Sequence, residues 1–544
     1  MTKYIILFFI VLLIFILQCA VPPPLRERPR FEERFKPPAR EIPEVQIGIA
    51  EGLESIQLEV DGKIEIFDRR SVVAKKVARE QQWTVRIEKT KPARIKYRLR
   101  YKEVNDQNVA DKIFEKFLAQ GLPMLVERIK TKQFRNNKLD WFSSYSIFLE
   151  PKFETEKDAY DYQWRIRDKI KAIALPFIKT PPSGKIILTD KETGESFASS
   201  GMLRILGDVF TLNIKTGEGF HFSNNETRKY HGQLDFIIDR FGKLTVVNVL
   251  PFETYLMGVV GSEMQEKFPL EALKAQAVTA RSYSLARIGK QHRLSPFDLC
   301  DEVHCHVYGG MDRESPQVKQ AVLETSGSIL IHENKICDTF YAGVCGGHTE
   351  NNEYVWNGEP RPYLRGRVDA DVSNFSDSFL QDEKNVRLWI KSSPKVFCNT
   401  QKGTVPDYLE YTTKYFRWQV RYSQKEISSI IRKKTSENIG RLLSIIPVSR
   451  GVSGRLTEIK IRGTRKTITV EKELAIRKTL SENYLYSSCF VVDRDGDDFI
   501  FKGAGWGHGV GMCQTGAANM ALAGKDFKFI LNHYYKDADI VKIY

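Results

Sequence analysis

A run of small residues constrains this chain more than any other feature. From Pro269 to Lys290 it reads PLEALKAQAVTARSYSLARIGK, with Leu270, Leu273, Ala277, Ala280 and Ser284 at helical spacing. Pro269 in the first turn and Glu271 just behind it fit a helix N-terminus. Proline's missing N–H costs nothing there, and a carboxylate faces the positive end of the helix dipole. The resulting face is slim and permits close packing. Lys274 and Arg281, seven residues and nearly two turns apart, point the same way. Upstream lie an apolar strand, 244–249, a helix start from Pro251 to Val260, and the loop Gly261-Ser262-Glu263-Met264. Two cations beside a loop acid would clamp an anionic or polyhydroxyl substrate near Glu263. The plainer alternative is a solvated face with snorkelling stems.

The chain has 544 residues, enough for about three or four domains, and 83 basic against 68 acidic side chains give a formal charge of +15. Such a balance fits nucleic acid, anionic lipid or an anionic polymer such as cell wall. The N-terminus narrows the choice. MTKYIILFFIVLLIFIL is an export signal, shorter than the roughly 20 residues of a spanning helix, and Cys19 follows it at a position resembling the lipid acceptor of a bacterial lipoprotein. Gln18 departs from the small residue usual before that cysteine, so an uncleaved membrane anchor is the alternative. Either way the rest works outside the cytoplasm, in the cell envelope. Nucleic acid drops out as a partner, and disulfides become permissible. Residues 20–44 are Pro-rich and charged, an extended tether.

Residues 45–90 alternate apolar and polar positions and read as a small β region, with Asp61-Gly62 as a turn. Over 94–180 a strand–helix–strand order occurs twice. The first helix carries Val109, Ala110, Ile113, Phe117 and Leu118 on one face and ends at Gly121; the second opens on Thr155-Glu156-Lys157-Asp158. The pattern suggests a ferredoxin-like α/β module. It resembles a SPOR domain, which implies binding to glycan strands stripped of stem peptides; an α+β insert without a ligand is the alternative.

Cys300 and Cys305 lie in LCDEVHCHVYGG beside His304 and His306, and Cys345 and His348 lie in GVCGGHTEN. Cys300, Cys305, Cys345 and His348 would close a tetrahedral Cys3His zinc site. A disulfide among these cysteines is the alternative. Cys337, Cys398 and Cys489 read as buried thiols. The segment FKGAGWGHGVGMCQTGA lacks the GKS/T ending and downstream acid of a nucleotide loop. It reads instead as a loop whose glycines let the backbone approach substrate or Glu263, with His508 and Gln514 as polar contributors and a helix over 515–522. Trp506 would stack on a sugar face or fill a core. Residues 369–455 read as accessory α+β structure.

The strings VVNVLPFETYLMGVVGSEM, EALKAQAVTARSYSLA, LCDEVHCHVYGG, CGGHTEN, SGRLTEIKI and GWGHGVGMCQTGA, in this order, resemble the stage II sporulation protein D (SpoIID/LytB) family across about 184–544. The resemblance implies an α+β, multi-domain chain whose SpoIID-like catalytic half follows the ferredoxin-like module. It also implies a lytic transglycosylase acting on denuded peptidoglycan, with Glu263 as the catalytic glutamate and Lys274 and Arg281 as basic residues near it. Zinc held by Cys and His residues of these segments is implied for some members. Other members are amidase enhancers, so a non-enzymatic module serving a cell-wall amidase is the second expectation. A glycosidase ordinarily needs two carboxylates; with the muramic acid 6-hydroxyl as internal nucleophile, one acid suffices.

Overall fold

The computed structural model describes residues 42–544, apart from 69–70, 136–137, 217–223, 372–375, 377 and 402–404. The apolar N-terminal run, Cys19 and nearly all of the tether lie outside the described residues.

The chain is mixed α+β. Its first half contains the strands β1 (Glu44–Leu53), β2 (Ser55–Asp68), β3 (Ser71–Lys91), β4 (Arg94–Val104), β5 (Met124–Arg135), β6 (Lys138–Phe153) and β7 (Ile173–Thr180). It continues with β8 (Ser183–Asp190), β9 (Ser196–Ser200), β10 (Met202–Thr216), β11 (Asn224–Ile238), β12 (Leu244–Pro251) and, later, β13 (Leu299–Cys300). Nine of them form one sheet in the order β13-β1-β12-β11-β10-β2-β3-β8-β9. β12, LTVVNVLP, is buried at every position but the last, as a strand covered on both faces must be.

This arrangement corrects the expected boundary at residue 90. Residues 45–90 are not a separate β region. β1 pairs antiparallel with β12, placing Val45 opposite Leu250, and β2 pairs with β10, placing Val60 opposite Phe210. Their apolar side chains join the core that surrounds the helices 252–263 and 270–287. Alternation shows which side of a strand is buried, while the neighbouring strand is chosen by the path of the whole chain. Nor is Asp61-Gly62 a turn. β2 runs through it as a bulge, with Gly62 at φ +94° and the Lys63 N–H donating to Asp208 Oδ2 at 3.0 Å.

β4 to β7, with α1 (Gln107–Leu118) and α2 (Glu156–Ile166), form a four-stranded antiparallel sheet in the order β5-β6-β4-β7, with their own core around Leu99, Phe117 and Ile147. The unit leaves the large sheet after β3 and returns at β8, and those two strands pair with each other. The Thr155 side chain caps α2 by accepting from the Asp158 N–H. Ala110 and Phe117 face the core as expected, but Val109 and Leu118 are exposed.

Four of the helices beyond residue 250 pack against one another around the small-residue segment: α3 (Phe252–Glu263), α4 (Leu270–Arg287), α5 (Pro316–Glu324) and α6 (Gln514–Leu522). α4 is the small-residue helix. It is buried around nearly its whole circumference, from Ala272 to Ala286 with Lys274 the exception, because α3, α5, α6 and the strand Ser328–His332 all pack on it. Several of its polar side chains are bonded within the core. The Ser282 hydroxyl donates to the Val278 carbonyl and accepts from the Leu330 N–H, both at 2.8 Å. Beyond residue 410 a second core gathers around Trp418, Ile427, Ile459 and Phe501.

Candidate active site

β12 runs directly into α3, and Glu263 is the last residue of that helix. Its position is fixed from several sides. Gln514, first residue of α6, donates through Nε2 to the Glu263 carbonyl at 3.1 Å and to Gln276 Oε1 at 3.4 Å. The carboxyl group, at a partly accessible position, is hydrogen-bonded by the Tyr341 hydroxyl and the Val307 backbone. Burial pushes its pKa up to about 7, although both hydrogen bonds pull it down. A carboxyl at that value is partly protonated near neutral pH, as a general acid requires.

Tyr341 extends the network. Its hydroxyl lies 2.8 Å from His306 Nδ1, and burial holds the His306 pKa down at about 3, so the ring is neutral. The neutral ring has a single N–H, and it also faces the Ala280 backbone. Spacing in the sequence carried no sign of Tyr341. The tertiary fold places it by pairing Tyr341 with Met512 and Ala342 with Cys513 in a short parallel ladder.

The glycine-rich loop lies along this ladder. Trp506 bridges to Val344, exposes 37% of its surface and stacks on Tyr415 with centroids 4.4 Å apart. His508 accepts from the Val510 N–H through Nδ1 at 3.0 Å. That fixes the other nitrogen as the protonated one, and it bonds the Tyr341 backbone. His508 therefore positions Tyr341. Gly505, Gly507, Gly509 and Gly511 all adopt positive φ, and a Cβ at Gly509 or Gly511 would overlap the Arg455 guanidinium or the Phe340 carbonyl.

Lys274 and Arg281 lie elsewhere. Arg281 is fully buried; its Nε and Nη2 donate to the two Glu253 oxygens at 2.9 and 2.7 Å, and it also bonds the Ser328 and Val322 carbonyls. Lys274 is held at 2.7 Å by both Glu271 and Glu324. The two do share a stripe, but it faces α5 and Glu253. They cannot clamp a ligand on Glu263, because their charges are already spent on carboxylates of the core and its edge.

The expected Cys3His group also divides. Cys300 and Cys305 converge with His292 and His304, their ligand atoms all within 4.8 Å of one another. His292 Nε2 lies 3.2 Å from Cys305 Sγ, and His304 Nε2 lies 3.3 Å from Cys300 Sγ. Two thiols and two imidazoles at this range fit a tetrahedral Cys2His2 zinc site. No disulfide links any of the described cysteines. Cys345 belongs to a different group, with Asp369, Cys398 and Cys513. His348 is turned away and bonds the Thr349 carbonyl at 2.7 Å. Forty residues of intervening chain decide these groupings, which is why short spacings mispaired them.

The family model described as "Stage II sporulation protein" matches residues 240–332, from β12 through Glu263, α4, the Cys300–Cys305 loop and α5 to the strand Ser328–His332. Proteins named stage II sporulation protein D from Bacillus amyloliquefaciens and Bacillus subtilis are 28% identical over 309 and 310 residues, covering 54% of this chain and 75% of theirs. The chain belongs to the stage II sporulation protein D family. An uncharacterized protein of Brachyspira hyodysenteriae is 33% identical over 328 residues, 60% of this chain and 76% of its own. The Bacillus subtilis protein named "Amidase enhancer" is 28% identical over 296 residues, but these are only 39% of its length. Residues 350–511 match a domain of unknown function, so the Trp506 and His508 loop lies at the end of a unit that the stage II sporulation model does not cover.

Proposed function

We propose that this protein is a peptidoglycan lytic transglycosylase cleaving the MurNAc–GlcNAc bonds of denuded glycan strands. The observation that carries the reading is Glu263, a partly accessible carboxyl at a helix end, raised to about 7 by burial and held by Tyr341. As an acid it donates its proton to the glycosidic oxygen, the C1–O bond breaks, and the GlcNAc hydroxyl leaves with that proton. As a carboxylate it then takes the proton of the muramic acid C6 hydroxyl while O6 bonds to C1. The products are a 1,6-anhydroMurNAc end and a regenerated Glu263 acid, with no water consumed. Tyr341 and His306 steady the carboxylate formed between the two steps, and the exposed Trp506 ring supplies a sugar platform. The His292, Cys300, His304 and Cys305 group would hold zinc as a structural ion beside β13.

The accompanying parts fit a cell-wall enzyme. The unit over 94–180 has the strand order of a ferredoxin-like module, and we read it as a SPOR-like glycan holder. On its sheet the Arg98 guanidinium lies 3.7 Å from the Phe148 ring centre and 4.8 Å from that of Phe177, beside a cavity of about 530 Å³ that Phe297 of the catalytic half also lines. Export and a lipid or membrane anchor at Cys19 complete this reading.

The relative named amidase enhancer supports a second reading, a non-enzymatic module working with a cell-wall amidase. One experiment separates the two. Amidase-treated peptidoglycan is digested with the wild type and with Glu263→Gln, and the products are weighed by mass spectrometry. Anhydro products from the wild type alone support the enzyme. A wild type that releases none while stimulating an added amidase overturns it.

A further inference from the structure

The fold brings together Cys345, Asp369, Cys398 and Cys513, which lie on four separate segments. All four are buried, with ligand atoms within 4.8 Å of one another. Cys345 Sγ is 3.3 Å from Cys398 Sγ and 3.3 Å from Asp369 Oδ2. Zinc bound at about 2.3 Å to sulfur and about 2.0 Å to oxygen spans ligand separations of this size. We propose that these residues form a Cys3Asp site for a thiophilic divalent cation of the zinc class, distinct from the His292, Cys300, His304 and Cys305 group.

The surroundings are those of a built site. Asp369 Oδ1 is engaged away from the cluster, accepting from the Tyr534 hydroxyl at 2.8 Å and lying 3.3 Å from His533 Nε2, which leaves Oδ2 turned toward the sulfurs. Such outer bonds orient a ligating carboxylate. Among the described residues no lysine or arginine forms an ion pair with Asp369, whose one ion-pair contact is with His533 through Oδ1, so a cation among the sulfurs would add positive charge on the Oδ2 side of a buried carboxylate. Cys513 caps the N-terminus of α6, where Sγ faces the Gly516 N–H at 3.4 Å and the Cys345 N–H at 3.2 Å. Two donors aimed at one sulfur favour its thiolate, the form that binds metal. Gly516 is required by the same geometry, since a Cβ there would come within 2.7 Å of Asp369 Oδ2 and overlap the Tyr534 hydroxyl.

The cation would tie together the Cys345–His348 loop, Asp369, Cys398 and the start of α6. α6 begins with Gln514, which holds the Glu263 carbonyl, so the site would brace the active centre from behind without touching substrate.

The test is zinc per chain, by elemental mass spectrometry of the dialysed full-length protein and its variants. One zinc equivalent should disappear in both Cys398→Ser and Asp369→Asn and survive in the double variant His292→Ala, Cys300→Ser. If either of the first two fails to fold, cobalt replaces zinc in the double variant, and an intense thiolate-to-cobalt charge-transfer band with tetrahedral visible bands is expected. The proposal is overturned if no metal remains in the double variant, or if peptide mapping without reductant finds Cys345 and Cys398 joined as a disulfide. Neither outcome depends on glycan cleavage, so the fate of this site and that of the transglycosylase reading are separable.

Discussion

The Arg281 guanidinium meets the Glu253 carboxylate through two parallel bonds of 2.9 and 2.7 Å, with both side chains out of contact with solvent. Glu253 lies in the first turn of α3, and its second partners are the Gly327 N–H and the Tyr544 hydroxyl. The pair therefore joins α3, α4, α5 and the C-terminal residue. Its role is to hold the frame on which Glu263 stands.

Removing one partner of a buried pair strands the other charge, at a cost of about 3–5 kcal/mol. Arg281→Met should lower stability by that much in urea melts, while Lys274→Ala, whose ion pairs reach solvent, should cost no more than about 1 kcal/mol. Equal losses for the two would contradict this assignment.

Glu263→Gln should reduce turnover by a factor of roughly 10² to 10⁴, the span of general acid–base catalysis. In the wild type the first step needs the protonated acid, so the rate should fall as pH rises through about 7. Stability follows the same proton. The folded carboxyl titrates above the ordinary value near ~4.3, so the native state binds more protons between the two values and stability declines as pH rises through that window. Glu263→Gln should flatten that decline in melts recorded from pH 4 to pH 8.

Tyr341 donates to the Glu263 carboxylate and favours the charged form. Tyr341→Phe should move the alkaline limb of the pH–rate profile upward by roughly one to two pH units, the equivalent of a hydrogen bond to a charged group. An unmoved limb with lower activity would mean that Tyr341 acts only through packing.

Gly511 sits at φ +73° against the Phe340 carbonyl, one residue before the strand that pairs with Tyr341. Gly511→Ala should cost at least about 1–3 kcal/mol from backbone strain alone. Because the overlap displaces the Phe340–Tyr341 segment, activity should fall more than thermal stability does. A variant with wild-type activity would show that the loop tolerates a side chain there.

Much of the candidate site can be read in local pattern. Pro269 and the alanines mark α4, and Gly505 to Gly511 mark a backbone that passes close to its neighbours. Glu263 was recognisable through its resemblance to the family's string, although it closes α3 instead of lying in the expected loop. Tyr341 was not legible, because nothing in its immediate sequence separates it from an ordinary strand tyrosine; it matters only through pairing with Met512, 171 positions away.

By itself the sequence determined the helices and strands, the order of the family blocks and the presence of soft ligands, because caps, glycines and apolar spacing act over a few residues. Only the tertiary structure decided which partners those residues meet. It gave Arg281 to Glu253 rather than to substrate, moved 45–90 into the large sheet, and split the cysteines between His292 and His304 on one side and Asp369 on the other. The physical reason is range: helical and strand periodicity fix the direction a side chain takes, while the group it meets depends on long-range packing of the whole chain.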